Sequence, residues 1–192
     1  NTYLRTGVNK GINSCIEAII RATRKNEDLD EMESKDREKF LKKERLKLIR
    51  YILQGSSAQD SYLYSPSSLV DYIKQEKFID IRLFKDALQN MYDCNIFIFQ
   101  VNKDHVNGEL ITPYYTNNIY LLESKRKFRY TVLLYETTGS RIDNLFYPHY
   151  EYISRYSADK NKISSTYNSE DVITEGIGKV YDDIYMKFNK QL

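Results

Sequence analysis

At about Asn95 the patterning of this 192-residue chain changes, and that change constrains its fold more than any other feature. Before it, apolar residues recur three and four apart, the spacing of helices buried along one face. After it come short β-branched and aromatic runs divided by polar turns, which read as strands. Helices first and strands after is the order of an α+β domain. The expected architecture is a helical N-terminal half packed on a mostly antiparallel sheet.

Four segments make up the helical half. Asn13 or Ser14 can cap a helix from about Cys15 to Arg24, with Cys15, Ile16, Ile19, Ile20 and Thr23 on or near one face. The acidic run "NEDLDEME" leads into "SKDREKFLKKERLKLIRYILQG", where Leu41, Leu48, Ile49, Ile52 and Leu53 repeat at helical spacing and Gly55 is the stop. In "YSPSSLVDYIKQ", Ser65 is the cap and Pro66 the first helical residue. Leu83, Phe84, Ala87, Leu88 and Met91 form the fourth stripe.

Strands are expected over 95–101 ("NIFIFQV"), 118–124, 129–136 ("RYTVLLYE") and 147–153 ("YPHYEYI"), with a hairpin turn at Asn107-Gly108. The polar, aperiodic stretch 154–171 reads as a loop or linker. "VITEGIGKVYDDIYMKF" closes the chain as a helix weakened by Gly176 and Gly178. Residues 1–155 are therefore expected to form the α+β domain, with 156–192 a polar loop and C-terminal helix packed on it.

Hydrophobic and charged fractions of 41% and 29% are those of a soluble globular protein. A net charge of +2 gives no default expectation of nucleic-acid binding. No apolar run approaches the ~20 residues of a membrane span. Cys15 and Cys94, without a signal peptide, are expected to be free thiols in a reducing compartment, the cytoplasm. Eighteen tyrosines and no tryptophan, with abundant Lys, Asn and Ile, fit A/T-rich coding, as in a virus, an intracellular bacterium or a protist. The chain opens on Asn1 rather than Met and is expected to be a piece of something longer.

Chemistry concentrates on Cys15. A thiolate nucleophile needs a lowered pKa, a base and donors for an oxyanion. A helix N-terminus favours negative charge, and the N–H groups of Ile12, Asn13, Ser14 and Cys15 can serve as donors. Two histidines exist to act as base: His105, in a turn, and His149, in "PHYEY". In a strand, His149 and Glu151 share a face, so Glu151 can orient the imidazole. A zinc site from Cys15, Cys94, His105 and His149 lacks any close ligand pair, and no metal or cofactor is expected.

These motifs carry a resemblance. "NSCIEAI" is similar to the nucleophile helix of the ovarian tumour (OTU) cysteine proteases, which are deubiquitinases. "PHYEYI" resembles their late His-aromatic-polar motif, and "LQNMYDCNIFIFQV" their helix-to-strand entry. The resemblance spans roughly residues 5 to 155. It implies an arrangement like that of papain and OTU proteases, with Cys15 as nucleophile, His149 as general base and Glu151 as its orienter. It also implies ubiquitin or a ubiquitin-like modifier as partner, with Tyr147 and Pro148 lining the channel for the modifier's tail. Where the family usually has Asp-Gly-Asn before its cysteine, this chain has Ile12-Asn13-Ser14.

Two further readings compete. A catalytically silent OTU-like module would bind or scaffold within a larger, viral protein, with Cys15 a small buried hydrophobe and His149 with Glu151 a strand pair. A nucleic-acid-associated protein would rest on the basic segments 35–50 and 124–130. The first of these carries eight Lys/Arg against three acids and reads better as a solvated amphipathic helix. The second reads equally as a charged hairpin edge.

Overall fold

A computed structural model describes residues 2–9, 11–23, 27–54, 64–100, 109–111, 130–142, 145–158 and 160–168. The element order is β1 (Thr2–Thr6), α1 (Ser14–Thr23), a 3-10 turn (Glu27–Asp30), α2 (Ser34–Gln54), α3 (Pro66–Lys74), α4 (Ile81–Tyr92), β2 (Cys94–Gln100), β3 (Glu109–Ile111), β4 (Tyr130–Ile142), β5 (Leu145–Ser157), β6 (Lys162–Ser164) and β7 (Thr166–Asn168). The fold is α+β, with a helical N-terminal half on a mostly antiparallel sheet.

Local chemistry explains the helix limits. The Ser65 side chain accepts from the Ser68 backbone N–H at 3.2 Å, and Pro66 opens α3, as its sequence predicts. In α1 the carbonyl of Asn13 is the first acceptor, from the N–H of Glu17 at 3.0 Å. Asn13 is therefore the cap residue, Ser14 the first helical residue and Cys15 the second.

Strand order is β1-β5-β4-β2-β3. Among the described pairs, β2 beside β4 is parallel and the others are antiparallel. Ile96, Ile98, Val132, Leu134 and Tyr150 lie in one core with Cys15, Ile16 and Ile19 of α1, Leu48 of α2 and Phe84 and Leu88 of α4. Alternation sends their neighbours to the opposite face, where Phe97, Leu133, Tyr135 and Ile153 are also buried.

The structure corrects three expectations. Strand β1 has no counterpart in the sequence reading. Its five residues, at the edge of the sheet, are too few for alternation to stand out, and pairing with β5 holds them. Residues 162–168 are not a loop. The β4–β5 ladder runs from Ile142↔Leu145 to Leu134↔Tyr152, and where the two strands part, β6 pairs with β5 and β7 with β4. Between them the hydroxyl of buried Ser165 donates to the carbonyl of Ala22 at 2.6 Å, tying this corner to the end of α1. The polar composition misleads because these residues complete strand edges, where backbone bonds rather than apolar side chains decide.

The third correction concerns the buried stripe of α2, which is otherwise the amphipathic helix expected. Glu44 and Arg45 are buried with Leu41, Leu48 and Ile52, whereas Leu53 is exposed. The strand expected over 118–124, the basic segment 124–129, the Asn107-Gly108 turn and the C-terminal helix lie outside the described residues. Among the described residues, no helix is long and apolar enough to cross a membrane.

Candidate active site

The loop between β1 and α1 sets the start of α1 against the edge of β5. Its register partners end at Thr6↔Tyr152, so β1 leaves the edge of β5 bare beyond that point. The N-terminus of α1 fills the gap: the backbone N–H of Tyr150 donates to Ser14 Oγ at 3.5 Å. Ser14 precedes Cys15 and Tyr150 follows His149, so the bond joins the two motifs, 136 residues apart, through Tyr150, which shares the core with Cys15.

Three contacts hold the loop itself. The N–H of Ser14 donates to the Gly11 carbonyl at 3.2 Å, and the N–H of Ile79 to the Ile12 carbonyl at 3.3 Å. Arg45 secures Asn13. Its guanidinium donates to Asn13 Oδ1 at 3.4 Å, to the Ile73 carbonyl at 3.0 Å and to the Tyr72 carbonyl at 3.4 Å. Arg45 is 1% exposed, and burial lowers its pKa from the ordinary arginine value. Of the expected oxyanion donors, Ser14 thus has its N–H committed to a turn, while the Asn13 side chain and the Ile12 carbonyl are structural ties.

Cys15 is fully enclosed. Burial first, then the carboxylates of Asp80 and Glu136, raise its thiol well above the usual 9.0. At a helix N-terminus the dipole favours a thiolate by about 1 kcal/mol, but desolvation beside two anions outweighs it. Burial and the two carboxylates both disfavour the thiolate. Cys94, by contrast, is a core residue as its sequence context predicts.

His149 and Glu151 stand on the face of β5 opposite Tyr150, and so across the sheet from the core that holds Cys15. His149 Nε2 lies 3.8 Å from Glu151 Oε1, and both side chains are largely buried. Glu151 also pairs with Arg5 of β1 through its other oxygen. Tyr147 stacks on Phe78, with ring centroids 5.4 Å apart at 28°, and packs against the core, while Pro148 is half-buried opposite Thr138. His105 lies outside the described residues. A cleft of about 280 Å³ between α1, α2 and α4, lined by residues including Glu44 and Tyr92, includes none of the candidate catalytic residues.

Sequence reasoning missed Arg5, Arg45, Asp80 and Glu136. For Arg45 a signal existed: it lies four residues after Leu41 and three before Leu48, on the apolar stripe of α2. Nothing comparable marked the others, whose roles depend on which strands and loops become neighbours.

No protein-family model matches the chain. It is 24% identical over 219 aligned positions to "Uncharacterized protein 295L" of Invertebrate iridescent virus 6, which covers 97% of this chain and 16% of that protein. It is 35% identical over 105 residues to "Structural protein ORF43" of Trichoplusia ni ascovirus 2c, covering 53% of this chain and 10% of that protein. The chain thus spans a small part of the curated relatives it matches, and both of them are viral proteins.

Proposed function

We propose that this chain is an OTU-like cysteine hydrolase domain acting on ubiquitin or ubiquitin-like conjugates as part of a larger viral protein in the host cytoplasm. The observation that carries the reading is the bond from the Tyr150 N–H to Ser14 Oγ, which joins the Cys15 helix start to the His149-x-Glu151 strand. In this reading His149 takes the thiol proton as Cys15 attacks the carbonyl after the modifier's C-terminal glycine. His149 then returns that proton to the leaving amine, and water releases the modifier from the thioester. Glu151 orients His149, and the backbone N–H of Cys15 receives the oxyanion, since that of Ser14 is held by the Gly11 carbonyl. Because Cys15 is enclosed and packs with Tyr150, across β5 from His149, both the loop before α1 and the His149 segment of β5 must shift when a substrate seats.

A second reading has its own observation in favour. Full burial of Cys15 beside Asp80 and Glu136 opposes a thiolate, and suits a silent module that binds or scaffolds within a larger viral protein. The name of the ascovirus relative, a structural protein, is compatible with that role.

One experiment separates them. The protein and its Cys15→Ala variant are incubated with ubiquitin bearing a thiol-reactive C-terminal group, and adducts are read by mass. A Cys15-dependent adduct supports the hydrolase. Its absence with ubiquitin and with ubiquitin-like probes sinks that reading in favour of the silent module.

A further inference from the structure

The outer face of β5 carries a three-membered charge relay that neither motif predicts. Arg5 stands opposite Ile153 in the β1–β5 ladder, two residues along from Glu151 and on the same face. Its guanidinium pairs with Glu151 Oε2 and lies 4.6 Å from the centroid of the Tyr135 ring, which faces Glu151 across the β4–β5 ladder. The remaining carboxylate oxygen, Oε1, is the one 3.8 Å from His149 Nε2. The side chains of Glu151 and His149 are 14% and 8% exposed, so their interactions are weakly screened, whereas Arg5, at 41%, reaches solvent.

We infer that Arg5 is a positioning residue for the His149–Glu151 pair: it clamps Glu151 by one oxygen, turns the other towards the imidazole, and lowers the pH at which His149 takes up a proton. The reason is that one carboxylate serves two cations. A guanidinium is always charged, so it draws Glu151 away from an imidazolium and repels the imidazolium directly. Among the described residues, the ionisable side chains on the His149 face of the sheet include Tyr3 and Arg5 of β1, Tyr135 of β4 and Glu151 and Arg155 of β5. Arg5 is the cation paired with Glu151, while Arg155 lies four residues along β5 over the Tyr167 ring. A neutral, oriented imidazole near neutral pH is what a general base requires. That use in catalysis rests on the hydrolase reading, whereas the electrostatic coupling does not.

The chain has two histidines, so proton NMR titration of their ring signals reads the coupling directly, with His105 as internal control. In Arg5→Met the His149 midpoint is expected to rise by roughly one pH unit. Arg5→Lys, which returns the charge, brings it back most of the way. Arg5→Gln, a polar replacement, serves if the methionine variant does not fold. A brace between β1 and β5 with no electrostatic role would lower thermal stability in the Met variant and leave the midpoint unmoved, and that result overturns the inference. A shifted midpoint in a protein that never labels with the ubiquitin probes keeps the coupling and removes only its catalytic use.

Discussion

The backbone N–H of Tyr150 donates to the side-chain oxygen of Ser14 at 3.5 Å, where the first turn of α1 takes over the strand edge that β1 vacates. Both groups are buried, so removing the acceptor leaves a backbone donor without water. Ser14→Ala is expected to cost about 1 kcal/mol in urea unfolding, the low end for a buried bond because this one is long. Ser14→Thr, which keeps the hydroxyl, should recover most of it. Equal losses in both variants would show that packing, not the bond, matters there.

Arg45 ties α2 to the end of α3 and to the cap of α1. Arg45→Met removes three hydrogen bonds and is expected to lower stability by roughly 2–4 kcal/mol, because the carbonyls of Ile73 and Tyr72 lose their charged donor. Asn13→Ala loses one of those bonds and should cost about 1 kcal/mol. A loss in Arg45→Met no larger than in Asn13→Ala, measured by the same urea titration, would remove Arg45 as the tie.

Thiol chemistry should follow the enclosure of Cys15. Its folded-state pKa is raised, so the stability linked to it is complete below the unfolded value and is lost as pH climbs through the folded one. Above about pH 9, unfolding free energy should therefore fall more steeply in wild type than in Cys15→Ala. The slopes should differ by up to about 1.4 kcal/mol per pH unit, one proton's worth. Native protein at pH 8 should also react with a thiol reagent far more slowly than urea-unfolded protein. Rapid labelling of native Cys15 would contradict both expectations.

Residues 162–168 should behave as part of the core. Ser165→Ala removes the 2.6 Å bond to Ala22 from a buried site and is expected to cost about 1–1.5 kcal/mol. Ser164→Ala removes a half-buried bond to the Thr166 carbonyl and should cost less than about 0.5 kcal/mol. Thermal unfolding of the two variants side by side checks the ordering, and a reversed order would argue against the tie to α1.

Much of the fold was legible because its signals are local. The Ser65-Pro66 start of α3, the apolar stripe of α4 and the β-branched runs of β2 and β4 depend on neighbours within a few residues, and the structure agrees with each. Legibility failed where partners are distant. Strand β1 and the β6–β7 corner are too short and too polar to declare themselves, and ladder bonds to β4 and β5 define them.

The candidate site divides in the same way. From sequence alone came a cysteine at a helix start and a histidine two residues before an acid on one strand face, since helix capping and strand alternation are local rules. Only the tertiary structure decided what surrounds them. It closed Cys15 off from water beside Asp80 and Glu136, gave the N–H of Ser14 to Gly11, fastened Asn13 to Arg45 and set Arg5 on Glu151. Whether a thiol becomes a thiolate depends on desolvation and on charges that long-range packing brings near, and no spacing along the chain encodes either.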